Sequence, residues 1–458
     1  MIFYEIFQVS FYQNFSWEKS VRLLFKVQRR LFKVSYIHDK KNLYELQKLI
    51  FQSNCARLLA IREVTQLSFN KKISGVDGKT TLNFLERFEL NEYLRKNWNN
   101  WKPQSLRKRC VFDLNENLIS DTISTISDRS WQVLIKFALE PVHEAFFHPF
   151  NFGFRYNVPI YKVQQAILLN LSNISFGSKK RILKVELNCN FSIFNYDYLM
   201  KKLIAPRNIK LGIFRLLELG FNLHFPENEC QISTFSSLLL NVMLNGVENV
   251  HNCVRYGYYM LFFLRPMDNE KILANQILSL LYTRGIKKNS SKFLLVSNTK
   301  GFDFLGWHFK FSEKVKNGIS AIPSLNNYQF FLNRVKRIVN NSNYGSVVKA
   351  SKLYPVIKNW REYHKYSDLR SLSYSLFFVK KHAFSAFNSE SKQDFYSSKR
   401  LLFKSFLVSE SFNTVSKKYN FHILNCFSFG HLTFLSESIN FFNKINLYFC
   451  VHCGMKCI

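Results

Sequence analysis

Residues 53–66 read SNCARLLAIREVTQ, and after a short gap residues 71–78 read KKISGVDG. The first stretch ends a run of apolar residues that recur at helical spacing, which predicts one helix over about 43–64. This helix carries Arg57 and Arg62 among its apolar residues. The second stretch contains a turn-rich hinge, where the helical pattern is expected to stop.

Toward the N-terminus, residues 17–34 form an amphipathic pattern that predicts a second helix. Its apolar residues define one face, and a different face carries the basic residues Lys19, Arg22, Lys26, Arg29, Arg30 and Lys33. A basic face of this kind indicates either an ordinary solvated helix or a contact with a polyanion.

Toward the C-terminus, a helical pattern resumes at residues 84–98 and leads into a basic run that includes Arg107, Lys108 and Arg109. From about 111 to 311 short apolar runs are mixed with helical patterns, and these segments include residues 131–147, 181–187 and 254–264. Beyond Pro323 the pattern is helical and basic again. The order of these segments predicts an α+β fold.

The composition indicates a large basic protein rather than a disordered or disulfide-stapled one. The chain has 458 residues, 47% of them hydrophobic, and 64 Lys and Arg against 31 Asp and Glu give a net charge of +33. An excess of this size points to a polyanionic partner. Apolar segments are too short to span a bilayer, so no membrane partner is expected. The nine cysteines, mostly isolated, favour a reducing compartment.

Several motifs, taken in order, resemble the group II intron reverse transcriptase/maturase family. They are the opening stretches at 53–66 and 71–78, then DRSWQVL at 128–134, NFGFR at 151–155, GFDFLGW at 301–307 and PVIKNWREYH at 355–364. The resemblance covers about residues 15–405. It implies a basic helical N-terminal region (1–110), reverse-transcriptase-like fingers and palm (111–318), the maturase-specific thumb called domain X (319–410) and a tail (411–458).

The family resemblance also places three carboxylates in the palm, where polymerisation needs two divalent ions about 4 Å apart. The matching positions here hold Glu186, Tyr258 and Tyr259. A phenol has a pKa of about 10 and brings no negative charge at neutral pH. The polymerase site is therefore predicted to be degenerate, with no catalytic residue of its own.

The basic residues of the N-terminal region and of domain X are predicted to contact RNA. The resemblance implies an RNA partner, and their positive charges can neutralise its phosphates. Besides the six on the first helix and Arg57, Arg62, Arg107, Lys108 and Arg109, the predicted contacts are Arg155, Arg334, Lys336, Arg337, Lys358, Arg361, His364, Lys380, Lys381 and Arg400. Trp131 and Trp360 have helical spacing and are assigned to the core.

The tail ends in a cysteine cluster, Cys450, Cys453 and Cys457. Thiolates at this spacing suit a zinc ion, but a remnant of a lost domain and three unpaired thiols stay open as alternatives. No other cofactor is expected.

The function implied by the resemblance is that of a maturase that stabilises folded intron RNA, of the group II type or its group III derivative. An active reverse transcriptase and a general RNA chaperone are the alternatives. Structured intron RNA is the expected partner, with further splicing factors and the oligomeric state left open. AT-rich codon usage and an N-terminus without a transit-peptide pattern favour a plastid, with the mitochondrion as the alternative.

Overall fold

The computed structural model describes residues 15–68, 73–112, 118–156, 158–187, 194–223, 234–286, 291–297, 300–311, 318–369, 376–390 and 395–406. Within these residues, helices and antiparallel sheets are mixed along the chain, in agreement with the predicted α+β class. The three palm positions and all of the predicted RNA contacts lie in this part of the chain. The cysteine cluster lies outside it.

The N-terminal region consists of helices α1 (Trp17–Tyr36), α2 (Lys40–Gln52), α3 (Asn54–Arg62) and α4 (Phe84–Asn97). The prediction of one helix over 43–64 is wrong, because the chain breaks at Ser53. The backbone of Ser53 is extended and its side chain accepts from the Ala56 N–H, which caps α3 in the way that serine caps a new helix. A π-helical turn at Glu63–Leu67 ends the segment.

These helices pack on α5 (Ile126–Glu144), which is buried along most of its length. Trp131 of α5 stacks on Trp101 at a centroid distance of 5.6 Å, and Trp131 is part of the core as predicted. Strands β1 (Arg107–Phe112) and β2 (Leu118–Ile123) form a two-stranded antiparallel sheet next to α5 in sequence. Arg107, Lys108 and Arg109 of the basic run therefore lie in a paired strand. Strand β1 extends past residue 110, where the N-terminal region was predicted to end.

A four-stranded antiparallel sheet lies at the centre of the chain, in the order β4-β5-β3-β6. Its strands are β3 (Arg181–Leu187), β4 (Cys253–Tyr256), β5 (Tyr259–Leu264) and β6 (Ser291–Ser297). The apolar runs singled out at 181–187 and 254–264 form strand β3 and the hairpin of β4 and β5. Its helical neighbours in sequence are α6 (Tyr161–Asn170), α7 (Tyr196–Lys202), α8 (Arg207–Glu218), α9 (Thr234–Leu244) and α10 (Glu270–Thr283).

A smaller antiparallel sheet follows, made of β7 (Phe302–Phe304), β8 (Trp307–Phe311) and β9 (Ile319–Pro323). It shares a core with α6 and with residues of β3, β4 and β5. The chain then ends its described part in α11 (Leu325–Val339), α12 (Ser346–Tyr363), α13 (Phe377–Glu390) and α14 (Phe395–Phe406), which have a core of their own around Trp360.

Candidate nucleic-acid interface

Helix α1 carries the largest set of predicted RNA contacts and presents them to solvent. Its sequence contains six basic residues and one acidic residue, Glu18. Five of the cations are exposed, namely Lys19, Arg22, Lys26, Arg30 and Lys33, while Arg29 is half-buried. Leu31 and Ser35 are buried on the opposite side. The amphipathic pattern of the sequence thus becomes a basic surface, which we call the α1 face and define by these five exposed residues.

Arg62 joins the N-terminal helices to one another. Its guanidinium carbon lies 4.3 Å from the ring centroid of Trp17, at the start of α1. This distance is within the range of a cation–π contact. Arg62 is half-buried.

The basic residues of β1 are also accessible. Arg107 and Lys108 are exposed, and Arg109 is half-buried. Arg107 also donates a 2.7 Å hydrogen bond to the hydroxyl of Ser74 in the hinge. A strand holds these cations in fixed positions, which suits contacts with a phosphate backbone.

The C-terminal helices expose a second group of cations, at Arg334, Lys336, Arg337, Lys358, Lys381 and Arg400. Two further predicted contacts, Arg361 and Lys380, are half-buried, and burial lowers the pKa of each of them. The charge of Arg361 lowers the pKa of Lys380 further, which shows that the two cations lie close together. Such a concentration of positive charge favours an anionic partner.

Three of the predicted RNA contacts are wrong, because these side chains serve the interior of the protein. Arg57 is only 3% exposed. Its Nε donates to Asn91 at 3.1 Å and its Nη1 to the carbonyl of Gln52 at 2.6 Å. This guanidinium therefore satisfies a carbonyl at the end of α2, where orphan acceptors need partners. It is not available to RNA.

Arg155 and His364 are the other two. Arg155 forms an ion pair with Glu144 and donates to the carbonyl of Asn151 at 2.6 Å. His364 is 2% exposed, and its ring nitrogens lie 3.2 Å from Asn327 Nδ2 and 3.1 Å from Ser367 Oγ. Burial lowers the pKa of His364 to about 3, so the ring is neutral near pH 7 and brings no charge to a phosphate.

The structure brings Glu186, Tyr258 and Tyr259 together at one end of the four-stranded sheet. Glu186 on β3 is directly opposite Tyr259 on β5. The next residue of β3, Leu187, donates its N–H to the carbonyl of Tyr258 at 3.2 Å. Gly257, with a φ of 59°, and Tyr258 form the tight turn between β4 and β5. This is a conformation that glycine adopts at little cost.

Aromatic packing occupies this end of the sheet. Tyr258 is 2% exposed and belongs to the same hydrophobic core as Trp131. Tyr259 lies edge-to-face with Phe304, with 6.4 Å between ring centroids. Glu186 is the one carboxylate of the three residues, so this set does not fit a pair of divalent ions. Among the residues that the structure describes, no three His, Cys, Asp or Glu side chains are grouped as metal ligands.

A buried ion pair fixes the base of the hairpin. Arg255 Nε lies 2.5 Å from Glu248 Oε1, and both side chains are inaccessible to solvent. Arg255 also donates to Asn241 at 3.1 Å. Burial alone raises the pKa of Glu248, but the charges of Arg255 and His148 outweigh it and leave that pKa below its ordinary value. The pair is therefore ionised near neutral pH and holds the strand that precedes Tyr258.

Of the outer surface of α14, only Arg400 was predicted from the sequence to contact RNA. Lys399 and Lys404 are exposed there, together with Phe395, Tyr396 and Phe403. The spacing of Phe395, Lys399 and Phe403 is the signal that could have found this surface, because residues four apart lie on one side of a helix.

The cysteine cluster Cys450, Cys453 and Cys457 lies outside the described residues, so its zinc ligation stays a prediction. No helix in the described part of the chain combines the length and the apolar character that crossing a bilayer requires.

Comparison with known proteins finds two partial matches and one nearly complete match. A family model for the N-terminal domain of reverse transcriptase matches residues 12–94. A protein of Euglena longa named Maturase-like protein 1 is 55% identical over 453 residues, which covers 98% of each chain. Protein YkfC of Escherichia coli strain K12 is 25% identical over 246 residues, or 49% of this chain and 62% of its own length.

Proposed function

The chain belongs to the maturase and reverse-transcriptase-like family, and on that premise we propose that it assists intron splicing as an RNA-binding protein that does not synthesise DNA. In the proposed architecture the four-stranded sheet is the degenerate palm, and helices α11 to α14 are the thumb. The partner is structured intron RNA of the group II type or its group III derivative.

One observation supports the proposal: the end of the four-stranded sheet lacks two of the three polymerase carboxylates, whereas α1 and the C-terminal helices keep their exposed cations. At the sheet end, two of the three positions that hold polymerase carboxylates in the family are tyrosines, and Tyr258 is packed into the core. On α1 and on the C-terminal helices, cations remain exposed. A chain that keeps RNA binding without polymerisation has this distribution of residues.

The proposed mechanism needs no nucleophile from the protein. In this family the intron RNA carries out the transesterification itself, as the resemblance implies. Cations that neutralise phosphates release condensed counterions, which favours binding at low salt. A protein that binds only the folded intron shifts the folding equilibrium toward that state by mass action. The splicing rate then rises because more of the RNA is folded.

Binding and splicing measured together test this proposal. The full chain is titrated against its host's group II-type introns and against an unrelated structured RNA of equal length. We expect one or a few introns to bind at least about tenfold more tightly, a difference of about 1.4 kcal/mol, and to splice faster when the protein is present. Equal affinity for all RNAs would identify a general RNA chaperone instead.

Primer extension separates this proposal from an active reverse transcriptase. With an annealed primer, deoxynucleotides and either Mg²⁺ or Mn²⁺, the full chain is expected to yield no extended product. A product that the wild-type chain makes and the Glu186→Gln variant does not make would overturn the claim that polymerisation is absent.

We propose a plastid as the site of action, with the mitochondrion as the alternative. The abundance of Phe and Tyr over Gly and Pro, a bias expected from an AT-rich genome, supports an organelle, but it does not choose between the two. Fractionation of the host's organelles followed by immunodetection of the protein tests this point, and recovery in mitochondria alone would contradict it.

A further inference from the structure

Helix α14 has an exposed face on which aromatic rings alternate with cations. Phe395 is 56% exposed, Tyr396 78% and Phe403 45%. The exposed cations of the same helix are Lys399, Arg400 and Lys404, and its sequence contains no acidic residue. We call these six residues the α14 face.

The cations of the α14 face lie among the rings rather than apart from them. Lys399 Nζ lies 5.7 Å from the ring centroid of Phe395 and 5.7 Å from that of Phe403. Both distances are within cation–π range. Phe395 also contacts Phe384 of α13 edge-to-face at 5.5 Å. The result is a continuous surface with a positive charge between two rings.

Other residues of α14 are packed against the body of the protein. Ser398, Ser405 and Phe406 are buried, and Phe406 belongs to the core that contains Trp360 of α12. This packing fixes the direction in which the α14 face points. The rings of α14 therefore lie on a helix whose position is fixed by packing. This reduces the conformational entropy that is lost on binding.

The chemistry of the α14 face selects among ligands. Large rings that are exposed side by side are stabilised when a flat or apolar group covers them and removes them from water. The interleaved cations favour an anionic group at the same place. Unpaired nucleotides combine both properties, because each base offers a ring for stacking and each linkage offers a phosphate.

We propose that the α14 face is a stacking platform for unpaired nucleotides of the bound RNA, an inference that rests on the proposed function. Bases of a loop or single-stranded segment stack on Phe395, Tyr396 and Phe403. Lys399 and its neighbouring cations neutralise the adjacent phosphates. The platform gives the protein a way to distinguish looped RNA from duplex RNA, whose bases are already stacked.

Two other occupants fit the α14 face less well. Residues 407–458, which follow α14 directly, contain four Lys and two Glu, so they offer the cations no net negative charge. A lipid surface takes up amphipathic helices whose aliphatic residues are free, whereas Leu401, Leu402 and Phe406 of α14 pack in or against the core.

The experiment compares two RNA probes and three variants of the full chain. The probes are a hairpin with a single-stranded loop and a fully paired duplex with the same number of phosphates. The test variant is Phe395→Ala with Phe403→Ala. The ring-retaining variant is Phe395→Tyr with Phe403→Tyr, and Tyr282→Ala on α10 removes a ring that is 76% exposed elsewhere.

We expect the test variant to bind the hairpin at least about tenfold more weakly and to bind the duplex as the wild type does. The ring-retaining variant and Tyr282→Ala should leave both affinities unchanged. Unchanged hairpin affinity of the test variant would overturn the proposal, and so would an equal loss of affinity for both probes. A lower thermal midpoint with unchanged RNA binding would overturn it too, in favour of a surface covered by residues 407–458.

The outcome is separable from the test of the proposed function. An absence of intron selectivity in the wild-type chain contradicts the maturase proposal, whether or not the rings of α14 matter. An unchanged hairpin affinity in the Phe395→Ala with Phe403→Ala variant contradicts only the stacking platform.

Discussion

At the scale of single residues, Arg255 and Glu248 make a polar contact in which both side chains are inaccessible to solvent. They form a fully buried ion pair beneath the hairpin that contains Tyr258. Two charges removed from water are tolerated only when each satisfies the other and its remaining hydrogen bonds are made. The contact with Asn241 supplies one of these bonds.

Removal of one partner of this pair is expected to destabilise the fold strongly. Arg255→Met leaves Glu248 charged and buried, which costs about 3–5 kcal/mol of the free energy of unfolding. The double variant Arg255→Met with Glu248→Leu removes both charges and should recover most of that stability. Urea denaturation of the wild type, both single variants and the double variant measures the coupling. Additive effects of the two substitutions would contradict the assignment of a coupled pair.

Buried histidines give the protein a predictable response to acid. Burial lowers the pKa of His143 and His364 to about 3 and that of His148 to about 4. In the unfolded chain a histidine has a pKa of about 6.5, so the unfolded state binds more protons between these values. The free energy of unfolding should therefore fall as pH falls from about 6.5 to about 4, by up to about 1.4 kcal/mol per pH unit for each histidine.

Denaturation at several pH values tests this slope. His364→Gln removes one of the three groups and should make the dependence on pH shallower by one histidine's share. The matched control is His382→Gln, because it is the same substitution at an exposed histidine. An unchanged slope in His364→Gln would show that this ring titrates normally in the folded state.

At the scale of elements, α1 shows which features of the chain its sequence predicts well. The apolar and basic patterns over residues 17–34 predicted a helix, and the structure has one at Trp17–Tyr36. The prediction over 43–64 failed because periodicity does not register a single capping residue such as Ser53. The burial of Arg57 was missed for a related reason, since it depends on partners such as Asn91 that are distant in sequence.

The α1 face is expected to supply phosphate contacts. Lys26→Gln with Arg30→Gln should weaken binding of intron RNA and reduce the slope of log affinity against log salt by about 1 for each phosphate that is no longer neutralised. The control is Lys41→Gln with Lys48→Gln, which removes two exposed cations from α2. Filter binding over a range of salt concentrations measures both. Equal slopes for the two double variants would contradict a specific role for α1.

At the scale of the whole molecule, the C-terminal helices contact the smaller sheet at the turn between β7 and β8. Tyr363 of α12 donates its hydroxyl to the carbonyl of Leu305 and stacks on Trp307 at 4.8 Å. Asn327 of α11 donates to the carbonyl of Gly306 at 3.1 Å. Leu305 and Gly306 both have positive φ, which turns these two carbonyls toward the helices. The sequence predicted the helical segment beyond Pro323, but these contacts appear only in three dimensions.

Tyr363→Ala should weaken this connection. The substitution removes a half-buried ring and its hydrogen bond, so we expect a cost below that of losing a fully buried aromatic ring, which is about 3–5 kcal/mol. Calorimetry is expected to show a lower thermal midpoint, with the C-terminal helices unfolding at a lower temperature than the rest. Tyr354→Ala is the control, because Tyr354 is exposed on the same helix. Equal effects of the two substitutions on the thermal midpoint would contradict the claim that Tyr363 stabilises the contact between α12 and the smaller sheet.

The central claim is that this chain binds and assists particular introns, and sequencing of the RNA that co-purifies with it tests this claim most directly. The protein is immunoprecipitated from extract of its host, and the bound RNA is compared with total RNA. We predict strong enrichment of unspliced transcripts from one or a few introns. Even recovery of all structured RNAs would contradict the claim.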